Sequence, residues 1–311
     1  MNTIFQTENN LQLPIVPGFR EQVKPTWKSV FKSFEYSPIS FEKANNLKTD
    51  LRSAISILNK YGISIEDKRI LDVGCYLGIQ AIAGVEHGAS SAVGIDIPEY
   101  YVNQSTDGNV DASKVLTERR QQLLNLHTNL DQSKISFEDK SVFEMSYDSE
   151  FDLIFSWETF EHITNPEEAL KRIYKALKPG GVSYNLYNPF FSISGGHSMC
   201  TLDFPFAHAL LTDRDFQKYV EIHQPEGVPE NYSQLCCNFF TKNLNRMTQR
   251  DLKTYIKKAG FKTLDFIGIP DLNLLKLVDT NTLEGIQTLY PTATLKDLLC
   301  GYVYFIIQKP C

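Results

Sequence analysis

Short apolar runs alternate with amphipathic segments through the middle of this 311-residue chain. Residues 70–73, 92–95 and 153–156 are apolar runs bounded by turn residues, which is typical of strands buried on both faces. Residues 79–86 and 111–129 lie between these runs and carry apolar positions at helical spacing. The alternation predicts an α/β fold built on a doubly wound, mostly parallel sheet.

The same kind of pattern extends over the rest of the chain. It predicts helices over 41–61, from Pro166 to Leu177, and from Thr248 to Gly260, where the glycine ends the helix. Further strands are predicted at 134–139, 182–187, 263–269 and 302–308, with largely helical sequence over 271–298. Four segments result: an N-terminal arm (1–40), a core (41–187), an insertion (188–247) and the C-terminal part of the core (248–311).

Two of these segments lie outside the alternating pattern. Residues 1–40 are rich in proline and aromatic residues and predict an irregular arm with a short helix near 26–34, either a packing appendage or a lid. Residues 188–247 are too long for a simple connection in a compact domain. They begin at the carboxyl end of a predicted core strand, so we interpret them as a cap that builds a substrate pocket.

A glycine turn follows the first core strand. Gly74 and Gly78 bracket it, and the missing side chains let the backbone approach a ligand closely. Asp96 ends the next strand. Since ligands of open parallel sheets bind beyond the carboxyl ends of the strands, Asp96 is placed to accept hydrogen bonds from a diol such as a ribose.

The chain resembles the class I S-adenosylmethionine-dependent methyltransferases in two blocks, which together cover roughly residues 65–187. The first is Leu71-Asp-Val-Gly-Cys-Tyr-Leu-Gly78 with Val93-Gly-Ile-Asp96, and the second is Phe151-Asp-Leu-Ile … Glu161-His-Ile … Lys178-Pro-Gly-Gly181. The resemblance implies a seven-stranded Rossmann-like sheet whose last strand is antiparallel. It also implies S-adenosyl-L-methionine as cofactor and S-adenosyl-L-homocysteine as product.

The resemblance further implies which residues hold the cofactor: Asp72, Gly74, Cys75, Tyr76, Gly78, Asp96, Ile97, Ser141, Val142 and Trp157. Tyr76 departs from the pattern, because the family often has a second glycine there. The family also often has an acidic residue that meets the adenine after the third strand. Ser141 stands at that place here, and Asp139 is an alternative two positions earlier.

Four side chains are candidate bases for deprotonating a methyl acceptor. His197 and His208 belong to the predicted cap, while Glu158 and His162 follow the strand at 153–156. Each also has a structural interpretation, as a hydrogen-bonded loop residue or a packed core histidine. His197, Asp203, His208 and His223 match no metal-ligand spacing, so we expect no metal.

Composition narrows the class of partner. With 31 basic and 37 acidic residues the chain has a net charge of −6, which argues against nucleic acid as the main partner. The sequence contains no apolar run long enough to span a membrane, and it lacks a secretory signal pattern. Its six cysteines are scattered, which indicates a reducing, cytoplasmic setting.

The sequence therefore predicts a methyltransferase, monomeric or homodimeric, that acts on an oxygen or nitrogen nucleophile of a small polar molecule, as in natural-product biosynthesis. A catalytically silent protein that binds S-adenosylmethionine is the alternative. A nicotinamide enzyme is disfavoured, because Gly74-Cys-Tyr-Leu-Gly78 does not fit the G-x-G-x-x-G pattern.

Overall fold

The computed structural model describes residues 4–31, 49–98 and 111–311. The helix predicted over 41–61 is therefore described only from residue 49 onward, as Thr49–Asn59. Residues 99–110, shortly after Asp96, lie outside the described residues, as does the end of the arm. Among the described residues, no helix combines the length and the apolarity needed to cross a membrane.

Seven of the nine described strands form one central sheet. In chain order the strands are β1 Ile4–Gln6, β2 Gln12–Pro14, β3 Arg69–Val73, β4 Ser91–Asp96, β5 Ile135–Asp139, β6 Phe151–Trp157, β7 Leu177–Tyr187, β8 Lys262–Pro270 and β9 Cys300–Gln308. The central sheet has the order β5-β4-β3-β6-β7-β9-β8. Strands β3 to β7 are parallel, and β9 runs antiparallel to both β7 and β8. This confirms the predicted Rossmann-like fold with an antiparallel last strand.

The strand order reverses at β3, which has β4 on one side and β6 on the other. A crevice therefore opens beyond the carboxyl ends of these three strands. The α-helices are α1 Phe19–Val23, α2 Thr49–Asn59, α3 Ile79–Glu86, α4 Ala112–Leu126, α5 Pro166–Ala176, α6 Ala207–Leu210, α7 Asp213–Ile222, α8 Tyr232–Lys242, α9 Gln249–Lys258, α10 Thr280–Leu289 and α11 Leu295–Leu298.

Side-chain caps fix the starts of two helices. The Asn165 side chain accepts a hydrogen bond from the Glu168 backbone N–H, and Pro166 takes the first position of α5. Thr248 and Asp251 form a reciprocal capping box at the start of α9. These local signals account for why the predicted starts of both helices are confirmed.

The arm is more regular than the sequence indicated. Its prolines suggested irregular structure, but β1 and β2 pair as an antiparallel hairpin. The predicted short helix appears as a 3₁₀ helix over Trp27–Phe31. The hairpin buries Phe5 and Leu13 against side chains from the cap, so tertiary contacts rather than local propensity stabilise it.

The buried side chains form three clusters. Two cover the opposite faces of the sheet, one beneath α5 and α9 and the other beneath α2, α3 and α4. The third joins the arm (Phe5, Trp27), the cap (Phe216, Phe240) and the C-terminal helical region (Ile286) into one separate core.

A buried ion pair holds the arm against the cap. The Arg20 guanidinium, only 1% exposed, donates to both carboxylate oxygens of Asp203 at 2.8 and 2.6 Å. It also donates to the Tyr232 hydroxyl, while the Tyr219 hydroxyl donates to Asp203 at 2.6 Å. Because every partner is hydrogen-bonded, the charges are compensated and the arm is held in one position.

Candidate active site

The glycine turn lies directly against the loop that follows β6. Gly74 has a φ of 78°, and a Cβ there would lie 2.0 Å from Oγ1 of Thr159. The Thr159 hydroxyl is itself held by a 2.9 Å hydrogen bond to the Trp157 carbonyl. Only glycine fits this position, because both the backbone conformation and the space exclude a side chain.

Gly78 is constrained from the other side of the turn. Its φ is 77°, and a Cβ there would lie 2.1 Å from the Phe137 ring. Its N–H donates to the Cys75 carbonyl at 2.7 Å, which closes the turn immediately before α3. The two glycines predicted from sequence thus let the turn pack tightly between β5 and the loop after β6.

Tyr76 takes the conformation that a glycine would take. Its φ is 46°, in the left-handed region that favours glycine. The Tyr76 N–H donates to Oδ2 of Asp96 at 2.5 Å, and its carbonyl accepts from Nε of Arg120 at 2.8 Å. These two bonds hold the strained backbone, which accounts for the departure from the glycine pattern.

Asp96 joins the turn to the crevice. Its Oδ1 accepts from the Ile97 N–H at 2.7 Å and its Oδ2 from Tyr76. A carboxylate offers about four lone-pair sites, so one carboxylate can accept hydrogen bonds both from the turn and from a diol. The side chain is 8% exposed and borders the cavity described below.

Arg120 is buried although it belongs to a charged stretch of α4. The run Glu118-Arg119-Arg120 has the composition of a solvated helix face, yet Arg120 is only 3% exposed. Besides the Tyr76 carbonyl it contacts Oδ1 of Asp139 at 3.1 Å and Sγ of Cys75 at 3.6 Å. Asp139, considered as an adenine partner, is thus engaged by Arg120 and by the Ser113 hydroxyl.

Two predicted cofactor residues lie beneath the turn rather than in the crevice. Asp72 is 2% exposed, and burial, together with the charge of Asp96, raises its pKa to about 8. Cys75 is also buried, and burial raises the pKa of its thiol well above the usual range. Cys75 therefore fills the turn as a neutral packing group, and Asp72 supports the turn from below.

A cavity of about 330 Å³ opens beyond β3, β4 and β6. Seven of the predicted site residues line it: Gly74, Asp96, Ile97, Ser141, Val142, Glu158 and His162. The sequence did not predict several others on its wall: Lys140, Phe143, Thr159, Ile163, Thr164, Lys242 and Asn243. The remaining predicted residues lie outside this lining, namely Asp72, Cys75, Tyr76, Gly78, Trp157, His197 and His208.

Ser141 and Trp157 have structural partners. The Ser141 hydroxyl caps the 3₁₀ helix Val142–Glu144 by accepting from the Phe143 N–H at 3.2 Å. The Trp157 ring stacks on Phe155, with the centroids 5.1 Å apart, on the face of the sheet covered by α2 and α3. Trp157 thus packs on this face, while Ser141 still borders the cavity.

His162 is the one predicted histidine on the cavity wall. Its Nδ1 lies 2.8 Å from the Asn243 carbonyl, which requires Nδ1 to carry the proton. Burial lowers the pKa of the ring to about 4. His162 is therefore neutral near pH 7 and ties the wall of the cavity to the end of α8 in the cap.

The other two candidate histidines, His197 and His208, lie inside the cap and do not line this cavity. The His197 ring stacks on Phe239 at 3.9 Å, and its Nδ1 accepts from the Met199 N–H. His208 is 1% exposed and packs edge-on against Phe190. Burial lowers the pKa of both, to about 3 for His208, because the apolar cap core disfavours the charged ring.

Glu158 lies at the rim of the cavity in an unusual backbone conformation. Its φ is 48°, and its N–H donates to the Leu186 carbonyl, which fixes the residue beyond the end of β6. The Asn188 side chain donates to Glu158 Oε1 at 3.2 Å, and the Asn188 N–H donates to Glu161 Oε1 at 3.1 Å. Burial raises the pKa of Glu161 to about 8.

Local sequence patterns could not predict most of the additional residues that line the cavity. Lys242 and Asn243 end a cap helix about 80 positions after His162, which Asn243 contacts at a sequence separation of 81. Thr159 could have been suspected from its place next to Glu158, at the carboxyl end of β6. Within the described ranges no group of three or more metal-ligating side chains is assembled.

The sheet order, the glycine turn and the carboxylate beyond β4 define a class I S-adenosylmethionine-dependent methyltransferase fold. S-adenosylmethionine is the cofactor of that class, and the turn, which admits no side chain at Gly74 or Gly78 and is backed by an acceptor carboxylate, fits such a nucleoside. A family described as "Methyltransferase domain" matches residues 44–265. The chain belongs to this methyltransferase family.

Curated relatives match the chain over part of their length. A ubiquinone biosynthesis O-methyltransferase from Hydrogenovibrio crunogenus is 33% identical over 118 residues, which are 38% of this chain and 42% of that protein. A tRNA U34 carboxymethyltransferase from Helicobacter acinonychis is 30% identical over 152 residues, 48% of this chain and 49% of that protein. The chain thus matches less than half of the length of either relative.

Solved structures resemble the chain over a longer span. An S-adenosylmethionine-dependent methyltransferase from Mesorhizobium loti aligns with a TM-score of 0.45 and 14% identity, covering 84% of this chain and 96% of that one. A phosphoethanolamine N-methyltransferase from Haemonchus contortus, solved with S-adenosyl-L-methionine, has a TM-score of 0.45 and 17% identity over 96% of this chain and 62% of that one. The strand order, rather than these superpositions, defines the fold.

Proposed function

We propose that the protein transfers a methyl group from S-adenosylmethionine to an oxygen or nitrogen nucleophile of a small polar molecule. The observation that carries this proposal is the convergence of the Gly74 turn and the Asp96 carboxylate on one cavity. A small acceptor is supported by the cap, whose helices close one side of that cavity through Lys242 and Asn243. The H. crunogenus relative, named for ubiquinone biosynthesis, fits a biosynthetic role.

Each part of the cavity has a role in this proposal. The carboxylate of Asp96 would bind the two ribose hydroxyls, each in a charge-assisted hydrogen bond. Ile97, Ser141 and Val142 would enclose the adenine. Gly74 would let the backbone approach the amino-acid end of the cofactor. The turn that makes this approach is shaped by Asp72, Cys75, Tyr76 and Gly78. Trp157 would support the rim from beneath.

The protein contributes orientation rather than bond-making groups. The bound cofactor supplies an electrophilic methyl group on a positively charged sulfur. Alignment of an acceptor with that methyl group can lower the barrier by about 7–11 kcal/mol. The cap and the rim beyond β6 would hold the acceptor in line and exclude water.

Titration calorimetry with S-adenosylhomocysteine tests this proposal. The parent should bind, whereas Asp96→Ala should show no measurable binding, because it removes both ribose acceptors. Asp96 also holds Tyr76, so Asp96→Asn and a thermal unfolding scan separate lost binding from misfolding. If Asp96→Asn and Asp96→Ala both fold and bind S-adenosylhomocysteine with parental affinity, the placement of the ribose at Asp96 is refuted. If the parent binds but forms no methylated product with any acceptor, a silent cofactor-binding protein is favoured instead.

A further inference from the structure

A second cavity lies outside the candidate active site, along helix α9. It has a volume of about 540 Å³ and is lined by residues of α9 and by the start of α11. Within the described ranges its lining shares no residue with that of the cavity at Gly74 and Asp96. Small-molecule sites usually have volumes of about 300–1,000 Å³. This second cavity is therefore large enough to take a small ligand of its own.

Four positively charged side chains line this second cavity, which we call the basic groove: Arg250, Lys253, Lys257 and Lys296. The three on α9 follow each other at spacings of three and four residues, so they share one helix face over about 10 Å of its axis. All four residues are exposed. Among the described residues none of the four makes an ion pair, whereas Lys258 on the same helix binds Glu167 at 2.9 Å.

The acidic side chains near the basic groove do not neutralise it. Asp297, the one carboxylate among the described residues of the lining, is only 3% exposed. Its Oδ1 accepts from the Gln249 N–H at 2.9 Å, and its Oδ2 from the Thr294 hydroxyl at 2.6 Å. Asp251 lies outside the lining and accepts from the Thr248 hydroxyl at 2.7 Å. Even if both carboxylates are counted, the four cations leave a surplus of two positive charges.

An aromatic ring fixes the position of one of these ammonium groups. Nζ of Lys253 lies 4.5 Å from the centroid of the Phe266 ring on β8. A cation–π contact orients an ammonium group but supplies no negative charge to balance it. The charge of Lys253 is therefore held at the wall of the basic groove, where an anion can meet it.

The lining also contains a buried amide oxygen without a partner. Gln249 is 5% exposed, and its Oε1 has no hydrogen-bond donor within the described part of the chain. Its Nε2 donates to the Lys296 carbonyl at 3.4 Å, which places the amide beside one of the four cations. Leaving a buried acceptor without a donor is unfavourable. A ligand that carries a hydroxyl group next to its negative charge would satisfy both the amide oxygen and the cations.

We propose that the basic groove binds a small hydroxylated diphosphate ester, of the class of the nucleoside diphosphates. Its phosphates contact the cations of α9 and Lys296, and one hydroxyl donates to Oε1 of Gln249. A diphosphate ester carries about three negative charges near pH 7, enough to offset the surplus with one compact group. The volume of the groove and the net charge of −6 disfavour a long nucleic acid strand. This binding site does not depend on the proposed methyl transfer.

Titration calorimetry on the full chain tests the proposal, with uridine diphosphate as the probe. The protein is first saturated with S-adenosylhomocysteine, so that the cavity at Asp96 is not free to bind a second nucleoside. Uridine diphosphate should bind at least about tenfold more tightly than uridine, because uridine lacks the phosphates that meet the cations. It should also bind more tightly than inorganic diphosphate, which has no ribose hydroxyl to donate to Gln249.

Substitutions in the basic groove separate the two kinds of contact. Lys253→Gln and Lys257→Gln should each weaken uridine diphosphate about tenfold, because each removes a charge-assisted hydrogen bond. Gln249→Met keeps the size of the side chain but removes the acceptor, so it should weaken uridine diphosphate and leave inorganic diphosphate unchanged. Lys60→Gln is the matched control, because Lys60 is also exposed but follows α2, outside the lining. A thermal unfolding scan establishes that each variant is folded.

Three results would overturn the proposal. The first is equal binding of uridine diphosphate and uridine, and the second is parental affinity for uridine diphosphate in either a folded Lys253→Gln/Lys257→Gln double variant or a folded Gln249→Met. The third comes from an oligouridylate strand, which presents the same ribose and phosphate groups. Tighter binding of the strand than of uridine diphosphate would assign the basic groove to nucleic acid instead of a small ester.

Discussion

Replacing Gly74 by alanine tests the closest contact of the candidate site. The new Cβ would lie 2.0, 2.5 and 2.8 Å from Oγ1, Cγ2 and Cβ of Thr159, and the backbone has a φ of 78°. Thr159 is β-branched and held by the Trp157 carbonyl, so it cannot rotate away freely. The left-handed backbone costs about 1–2 kcal/mol. Overpacking adds about 1–3 kcal/mol.

We therefore expect Gly74→Ala to lower the free energy of unfolding by about 2–5 kcal/mol, the sum of the two costs. Displacement of Thr159 into the cavity should also weaken S-adenosylhomocysteine at least tenfold. The assays are urea denaturation and titration calorimetry. Gly62→Ala is the matched control, because Gly62 has a φ of 72° but a Cβ added there would meet no atom within 4 Å.

A double-mutant cycle separates the two costs. Thr159→Ala in the Gly74→Ala background removes the two nearest atoms, so most of the overpacking should be relieved while the backbone cost remains. Stability of Gly74→Ala equal to that of Gly62→Ala, with parental affinity for S-adenosylhomocysteine, would refute the reasoning. The turn would then lie farther from the loop after β6 than the structure places it.

Two other perturbations follow from buried charges. Arg20→Met should lower the free energy of unfolding by about 2–4 kcal/mol, somewhat below the usual loss for a fully buried pair because Asp203 keeps 21% exposure. Urea denaturation measures this loss, and Asp203→Asn in the Arg20→Met background should recover part of it. If the effects of the two substitutions were fully additive, the pairing would be contradicted. The pKa of Asp72 is raised to about 8, so its proton stabilises the fold below about pH 4 and that stability is lost as the pH rises to about 8. The free energy of unfolding of Asp72→Asn should therefore rise relative to that of the parent across this pH range, by at most about 1.4 kcal/mol per pH unit. If the free energies of unfolding of variant and parent changed in parallel with pH, the raised pKa of Asp72 would be contradicted.

The sequence by itself determined the parts of the protein that depend on local chemistry. Helix α3 has the predicted bounds, since apolar spacing acts within a few positions. The succession of core strands, the glycine turn and Asp96 were also predictable, because a buried parallel strand and a left-handed turn restrict the residues that can form them.

Only the tertiary structure decided which side chains reach the cavity. Arg120 contacts a carbonyl 44 positions away, and Asn243 meets His162 across 81 positions. His197 and His208 resembled candidate bases in sequence but are packed in the cap core. Such contacts depend on how helices, cap and sheet pack together, and no local pattern of residues encodes that packing.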